Sequence, residues 1–189
     1  DFSAVRAGFT PALPLIPRKL IGQIISFFRC FMNEHEEFEA MAHIYWDKEQ
    51  EEYTAFIPRQ RVSKAHIDAD LRGSALPEER YIHYADIHSH NSMAAKFSYI
   101  DDEDERATRL YFVVGHLDRF YPSITARMSC GGSYQEIDPS LVLEGVGEEF
   151  PTEWLDQVER CGVEEPPEKV RRRPHWSDLL LGLPEAVLG

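Results

Sequence analysis

The chain has 189 residues, with 33 acids against 20 bases and a formal net charge of −13. That charge excludes nonspecific nucleic-acid binding as a main role, because phosphate is repelled over most of such a surface. Apolar residues at 43% and charged residues at 28% give the balance of a folded globular domain. A chain of this size buries roughly two thirds of its unfolded surface, so it needs no disulfide staples. Cys30, Cys130 and Cys161 form no CxxC pair, which argues against a disulfide framework or a cysteine zinc site and for a reducing, cytoplasmic setting. The most apolar run, Leu20 to Phe28, is too short to span a bilayer, and no small-residue cleavage site follows it. The expectation is therefore no membrane and no nucleic acid among the partners.

In chain order, Pro11, Pro14 and Pro17 punctuate an extended lead-in over residues 1–16. Pro17 then starts a helix whose Leu20, Ile21, Ile24, Ile25, Phe28 and Phe31 recur at helical spacing. Residues 39 to 57 read as a β-hairpin around the charged turn Asp47 to Glu52. Residues 58 to 80 read as mixed, with Gly73 and Pro77 marking a loop. Tyr81 to Ile87 is a strand that runs into His88-Ser-His90. The acidic run Asp101 to Glu105 opens a short helix, since negative charge is favoured at a helix N-terminus. Leu110 to Val114 reads as a buried strand, and residues 123–129 and 133–137 flank Gly131-Gly132 as a second hairpin. Helices and hairpins together predict an α+β fold built on a mixed sheet. The domain spans residues 17–163, and residues 164–189, which carry the basic cluster Arg171-Arg172-Arg173, form a linker and tail.

The segment His88-Ser-His90-Asn-Ser-Met-Ala-Ala-Lys-Phe-Ser98-Tyr-Ile-Asp101 carries the chemistry. Two histidines at i and i+2 on a strand point the same way, and both imidazoles can reach one metal. A carboxylate eleven residues after the second histidine can return as a third ligand. Two nitrogens and one oxygen leave a position open for water, the catalytic rather than structural arrangement, and metal-bound water ionises at about pH 7. Each part also has a plain structural reading. A His-x-His pair on a strand is most often structural, and Ser98-x-x-Asp101 has the form of a capping box. The two roles of Ser98 and Asp101 do not exclude each other.

The stretch resembles the signature of the JAMM/MPN+ (JAB domain) zinc metalloproteases, His-[Ser/Thr]-His-x7-Ser-x-x-Asp, at every defining position. The resemblance covers roughly residues 18 to 145 and implies a compact, prokaryotic-type member. The implied fold is a mixed β-sheet core flanked by helices, a JAB-type, cytidine-deaminase-like α-β-α sandwich. By resemblance His88, His90 and Asp101 ligate one zinc per chain, Glu39 acts as general base and then general acid, and Ser98 steadies the oxyanion. Glu39 is preferred to Glu36 and Glu37 because the strand pattern begins there. The implied activity is a zinc-dependent isopeptidase or peptidase cleaving after the C-terminal glycine of ubiquitin or a ubiquitin-like protein, with activating or conjugating enzymes as further partners.

Two features depart from the family pattern. Asn91 stands where proline commonly follows the second histidine. The strand at 110–114 passes to the next through only Gly115 to Pro122, without the long clamp of the eukaryotic members. The alternatives are a noncatalytic MPN-type scaffold, which has no need of three ligands, or another zinc hydrolase. Among the remaining residues, His43, His66, His83 and His116 are expected to be structural or outer groups. Asp86 shares a strand face with His88 but is given no role. Asp102, Asp104 and Glu105 are read as a solvated helix start, and Trp46, Trp154 and Trp176 as packing or tail anchors.

Overall fold

Helix α1 (Arg18–Arg29) forms where the apolar stripe predicts, and it buries Leu20, Ile21, Ile24, Ile25, Phe27 and Phe28. Pro17 precedes it in extended conformation and supplies no side-chain cap. The first helical N–H is satisfied from elsewhere, as Arg18 N–H donates to Glu144 Oε2 at 3.1 Å, which also places an acid at the positive end of the helix. The structure is a computed structural model that describes residues 8–33, 35–63, 67–69, 76–99, 101, 105, 107–145 and 150–160. The expected tail at 164–189, with Trp176, lies outside the described residues, as do Cys161 and His66. No helix among the described residues is long and apolar enough to cross a membrane.

The sheet is mixed and the class is α+β, as expected. Strands β1 (Met41–Asp47), β2 (Glu52–Phe56), β3 (Gln60–Val62), β4 (Ile67–Ala69), β5 (Tyr81–Ser89), β6 (Arg109–Gly115), β7 (Ser123–Cys130), β8 (Ser133–Ile137) and β9 (Val158–Arg160) follow one another along the chain. Six of them form one sheet in the order β2-β1-β5-β6-β7-β8. Only the β5–β6 pair in that sheet is parallel, so its connection is a crossover rather than a hairpin. That crossover, residues 90–108, carries the second half of the histidine motif. Both predicted hairpins are present, as β1–β2 and β7–β8.

Residues 58–80, expected to be mixed, hold two short strands, and Pro77 lies outside them. Strands β3 and β4 pair there, and β9 joins β3 in parallel to make a second, three-stranded sheet. Each of these strands has three residues, too few for alternation to be legible, and β9 arrives from far along the chain. The 3-10 helix Thr152–Gln157 brings Trp154 against Phe27, with ring centroids 5.6 Å apart.

Alternation gives the large sheet two unlike faces. Ala42, Ile44, Ala85, Ile87, Leu110, Phe112, Val114 and Ala126 join α1 in the apolar core. Their strand neighbours His43, Asp86, His88, Tyr111 and Arg127 are buried outside that cluster. The crossover is pinned at the far end of β6, where His90 N–H donates to Val114 O at 2.8 Å and His116 N–H to Met93 O at 2.8 Å. A Cβ at Gly115 would lie 2.3 Å from both Ala95 N and Met93 O, so only glycine allows this approach. Gly115→Ala is expected to cost about 1–3 kcal/mol, as overpacking against backbone does, read as a lowered denaturation midpoint.

Candidate metal centre

The site is assembled at the carboxyl end of β5, where it meets the approach to β1. Glu39 lies two residues before β1 rather than on the strand, so the sequence reading placed it on the wrong element. It is held all the same. Ala40 N–H donates to Ser89 Oγ at 2.9 Å, and Ser89 N–H returns a bond to Ala40 O at 2.9 Å. On the other side Gln60 closes two bonds on Met41, accepting from its N–H and donating to its carbonyl, each at 2.8 Å. Glu39 N–H reaches Ser63 O at 3.2 Å. The residue between the two histidines thus fixes the acid's backbone to the histidine strand.

His88, His90 and Asp101 converge as expected and form a group that could hold a metal ion. His88 Nε2 stands 3.1 Å from His90 Nε2 and 3.3 Å from Asp101 Oδ1. His90 Nε2 is 4.0 Å from Asp101 Oδ2 and 3.9 Å from Glu39 Oε1. Glu39, His88 and His90 are all buried. Of the competing acids, Glu37 is engaged elsewhere, accepting from Ser92 Oγ at 2.8 Å.

The Ser98–Asp101 pair is a reciprocal cap. Asp101 Oδ2 accepts from Ser98 N–H, and Ser98 Oγ accepts from Asp101 N–H at 3.3 Å. Asp101 Oδ1 is the oxygen turned towards His88, so one carboxylate serves both the cap and the site. Ser98 is exposed, and accepting that bond leaves its hydroxyl proton available to donate. Asn91 has a φ of 48°, a left-handed backbone that asparagine tolerates and proline, fixed near −65°, does not.

Glu105 corrects the sequence reading, because it is buried rather than solvated. Its N–H donates to Asp101 O at 2.9 Å, which ties the backbones of the two acids together. Arg127 donates to Glu105 Oε2 from Nε at 3.0 Å and Nη2 at 2.7 Å. Its guanidinium lies over the Phe97 and Tyr134 rings, 3.9 and 4.1 Å from their centroids. Spacing from Asp101 was the signal available for Glu105. Arg127 had none, since it arrives from β7.

A second group, His43, His83 and Asp86, also has ligand atoms close together. Here the histidines bond to the carboxylate directly, His43 Nδ1 and His83 Nε2 (2.6 Å) both facing Asp86 Oδ1. Arg109 Nη1 donates to Asp86 Oδ2 at 3.2 Å. The positive charge is therefore already supplied, and the group is a closed polar network. Burial works against ionisation of Asp86, yet the two histidine hydrogen bonds outweigh it and hold its carboxyl well below the usual range.

The electrostatics of the first group are those of a site short of positive charge. Burial, with the neighbouring Asp101 charge, pushes Glu39 up to about 7. Burial pushes His88 down to about 4 against the pull of Asp101, and it lowers His90 likewise. Burial also raises Glu105, opposed by the Arg127 guanidinium. Neutral imidazoles beside carboxylates in low dielectric are the state in which histidine ligates. No family model matches the chain, and no curated protein matches it.

Glu39 gives a pH-dependent stability prediction for the chelator-treated protein. Its folded value, about 7, lies above the ordinary 4.5. The unfolded chain therefore releases that proton first, and stability is lost as pH rises between the two values. Glu39→Gln removes the loss. The variant is expected to match wild type at about pH 4 and exceed it by about 1–3 kcal/mol at about pH 8, the partial exposure of the group already discounted. Urea denaturation across this range checks it.

Proposed function

We propose that this chain is a zinc-dependent isopeptidase or peptidase of the JAMM/MPN+ type, cleaving after the C-terminal glycine of ubiquitin or a ubiquitin-like protein. The observation that carries the reading is the convergence of His88 Nε2, His90 Nε2 and Asp101 Oδ1, at 3.1 and 3.3 Å, with the Glu39 carboxylate beside them. Ligands about 2.0–2.1 Å from a tetrahedral ion stand roughly 3.3–3.4 Å apart; the two separations at His88 lie near that spacing, and the third, from His90 Nε2 to the Asp101 carboxylate at 4.0 Å, shortens when an ion is bound. The mixed sheet with α1 on one face supports a JAB-type sandwich.

Zinc, when bound, supplies a Lewis acid that lowers the pKa of water and polarises the scissile carbonyl. The chain supplies the rest. Glu39, poised near neutrality, takes a proton from the attacking water and returns it to the leaving amine, the work for which an acid of such pKa is suited. His88 and His90 stay neutral and keep their Nε2 lone pairs on the site. Ser98 donates its hydroxyl proton to the developing oxyanion. A glycine-ending tail allows close approach of the carbonyl, since no side chain intervenes. An MPN-type scaffold would need none of these groups.

The test is cleavage of a linear ubiquitin-like fusion by wild type and Glu39→Gln, with metal content measured on both. The variant is expected to keep about one zinc per chain and to lose activity by about 10²–10⁴-fold, the usual worth of a general acid–base. Undiminished cleavage by Glu39→Gln, or by protein stripped of metal, overturns the reading.

A further inference from the structure

His88 is the most deeply placed of the three ligand residues, 3% exposed. Its Nε2 faces His90 and Asp101, so a ligating His88 must carry its proton on Nδ1. On that side of the ring stands Glu105 Oε1, 3.6 Å away. The other oxygen of Glu105 is fully taken up by Arg127, which turns Oε1 towards the ring. Arg127 is itself fixed between the Phe97 and Tyr134 rings and is buried. The chain Phe97/Tyr134–Arg127–Glu105–His88 runs from the β7–β8 hairpin to the site without a solvent-exposed link.

We infer that Glu105 is a positioning residue for His88, the acceptor that holds its imidazole in the Nδ1–H form with Nε2 turned to the metal, and that Arg127 sets the aim of that acceptor. Carboxylates behind metal-bound histidines fix tautomer and ring orientation, and their loss weakens metal binding by about 10–100-fold. Two residues so far apart in sequence act here as one part. Asp101 stands at the Nε2 side of the His88 ring and Glu105 at the Nδ1 side.

The inference rests on the metal reading but not on the peptidase reading, and its test reads metal affinity rather than cleavage. Zinc dissociation constants are measured by competition with a chromophoric chelator for wild type, Glu105→Gln, Glu105→Asp and Arg127→Lys. Visible spectra of the cobalt-loaded forms and melting temperatures of the metal-free forms accompany them. Glu105→Gln and Arg127→Lys both disturb the ion pair, and their metal-free melting temperatures are expected to fall together. Zinc affinity separates them. Glu105→Gln is expected to lose about 10–100-fold with a changed cobalt spectrum. Arg127→Lys, which leaves the carboxylate in place, is expected to lose far less. Glu105→Asp, which keeps the charge and shortens the reach, is expected to fall between and serves if Glu105→Gln does not fold. Wild-type affinity in Glu105→Gln, or an affinity loss in Glu105→Gln accompanied by an unchanged cobalt spectrum, overturns this inference alone. Failure of the wild type to bind zinc overturns the metal reading with it.

Discussion

The exchange of two hydrogen bonds between Ser89 and Ala40 is the constraint on which the site depends. One end of it belongs to the histidine strand and the other to the residue beside Glu39. A side-chain oxygen is used where the regular ladder has given out, since β1 begins at Met41. Without it the Glu39 lead would be held only from the Ser63 and Gln60 side, with no tie to the histidine strand. With it, an acid from one end of the chain's hairpin and two imidazoles from the next strand share a single frame. The small hydroxyl between the histidines therefore holds Glu39 beside the candidate metal group without belonging to that group.

The sheet divides its duties by face. The side towards α1 is filled by aliphatic and aromatic groups and supplies the hydrophobic stabilisation. The other side carries buried charge in two separate assemblies, which solve the same problem differently. Around Asp86, two histidines and Arg109 neutralise the carboxylate internally, leaving no need for an ion. Around His88, two carboxylates and two neutral imidazoles have no cation bonded to them among the described residues, because Arg127 is committed to Glu105. Similar residue types on neighbouring strands thus become a closed network in one place and an open one in the other, and the presence or absence of a guanidinium decides which.

Much of this was legible in the sequence. The α1 stripe, both hairpins and the strand leading into His88 follow from periodicity and turn residues, which are local. The grouping of His88, His90 and Asp101 follows from a local spacing of the same kind. What was not legible depends on contacts between distant segments. Strands β3, β4 and β9 are each three residues long, and nothing in Gln60-Arg-Val62 announces a partner at Val158–Arg160. Glu105 looks like one more acid in an acidic run, and only the position of β7 turns it inward to Arg127. Asn91 reads as a loss against the family pattern, whereas its positive φ makes it a requirement of this backbone. His83 and Asp86, three residues apart on β5, fall on opposite faces by simple alternation, and they meet His43 together only because the register shifts between Ile44 and Tyr45.

Asp101 divides its carboxylate between two tasks, one oxygen holding the Ser98 amide and the other turned to His88. The tasks call for different chemistry. A neutral amide at this position can still accept from Ser98 N–H, whereas anionic ligation needs the acid. Removing the Ser98 hydroxyl does the reverse, sparing the anion while slackening its mooring. The backbone turn and the donor set are therefore genetically separable, although a single side chain serves both.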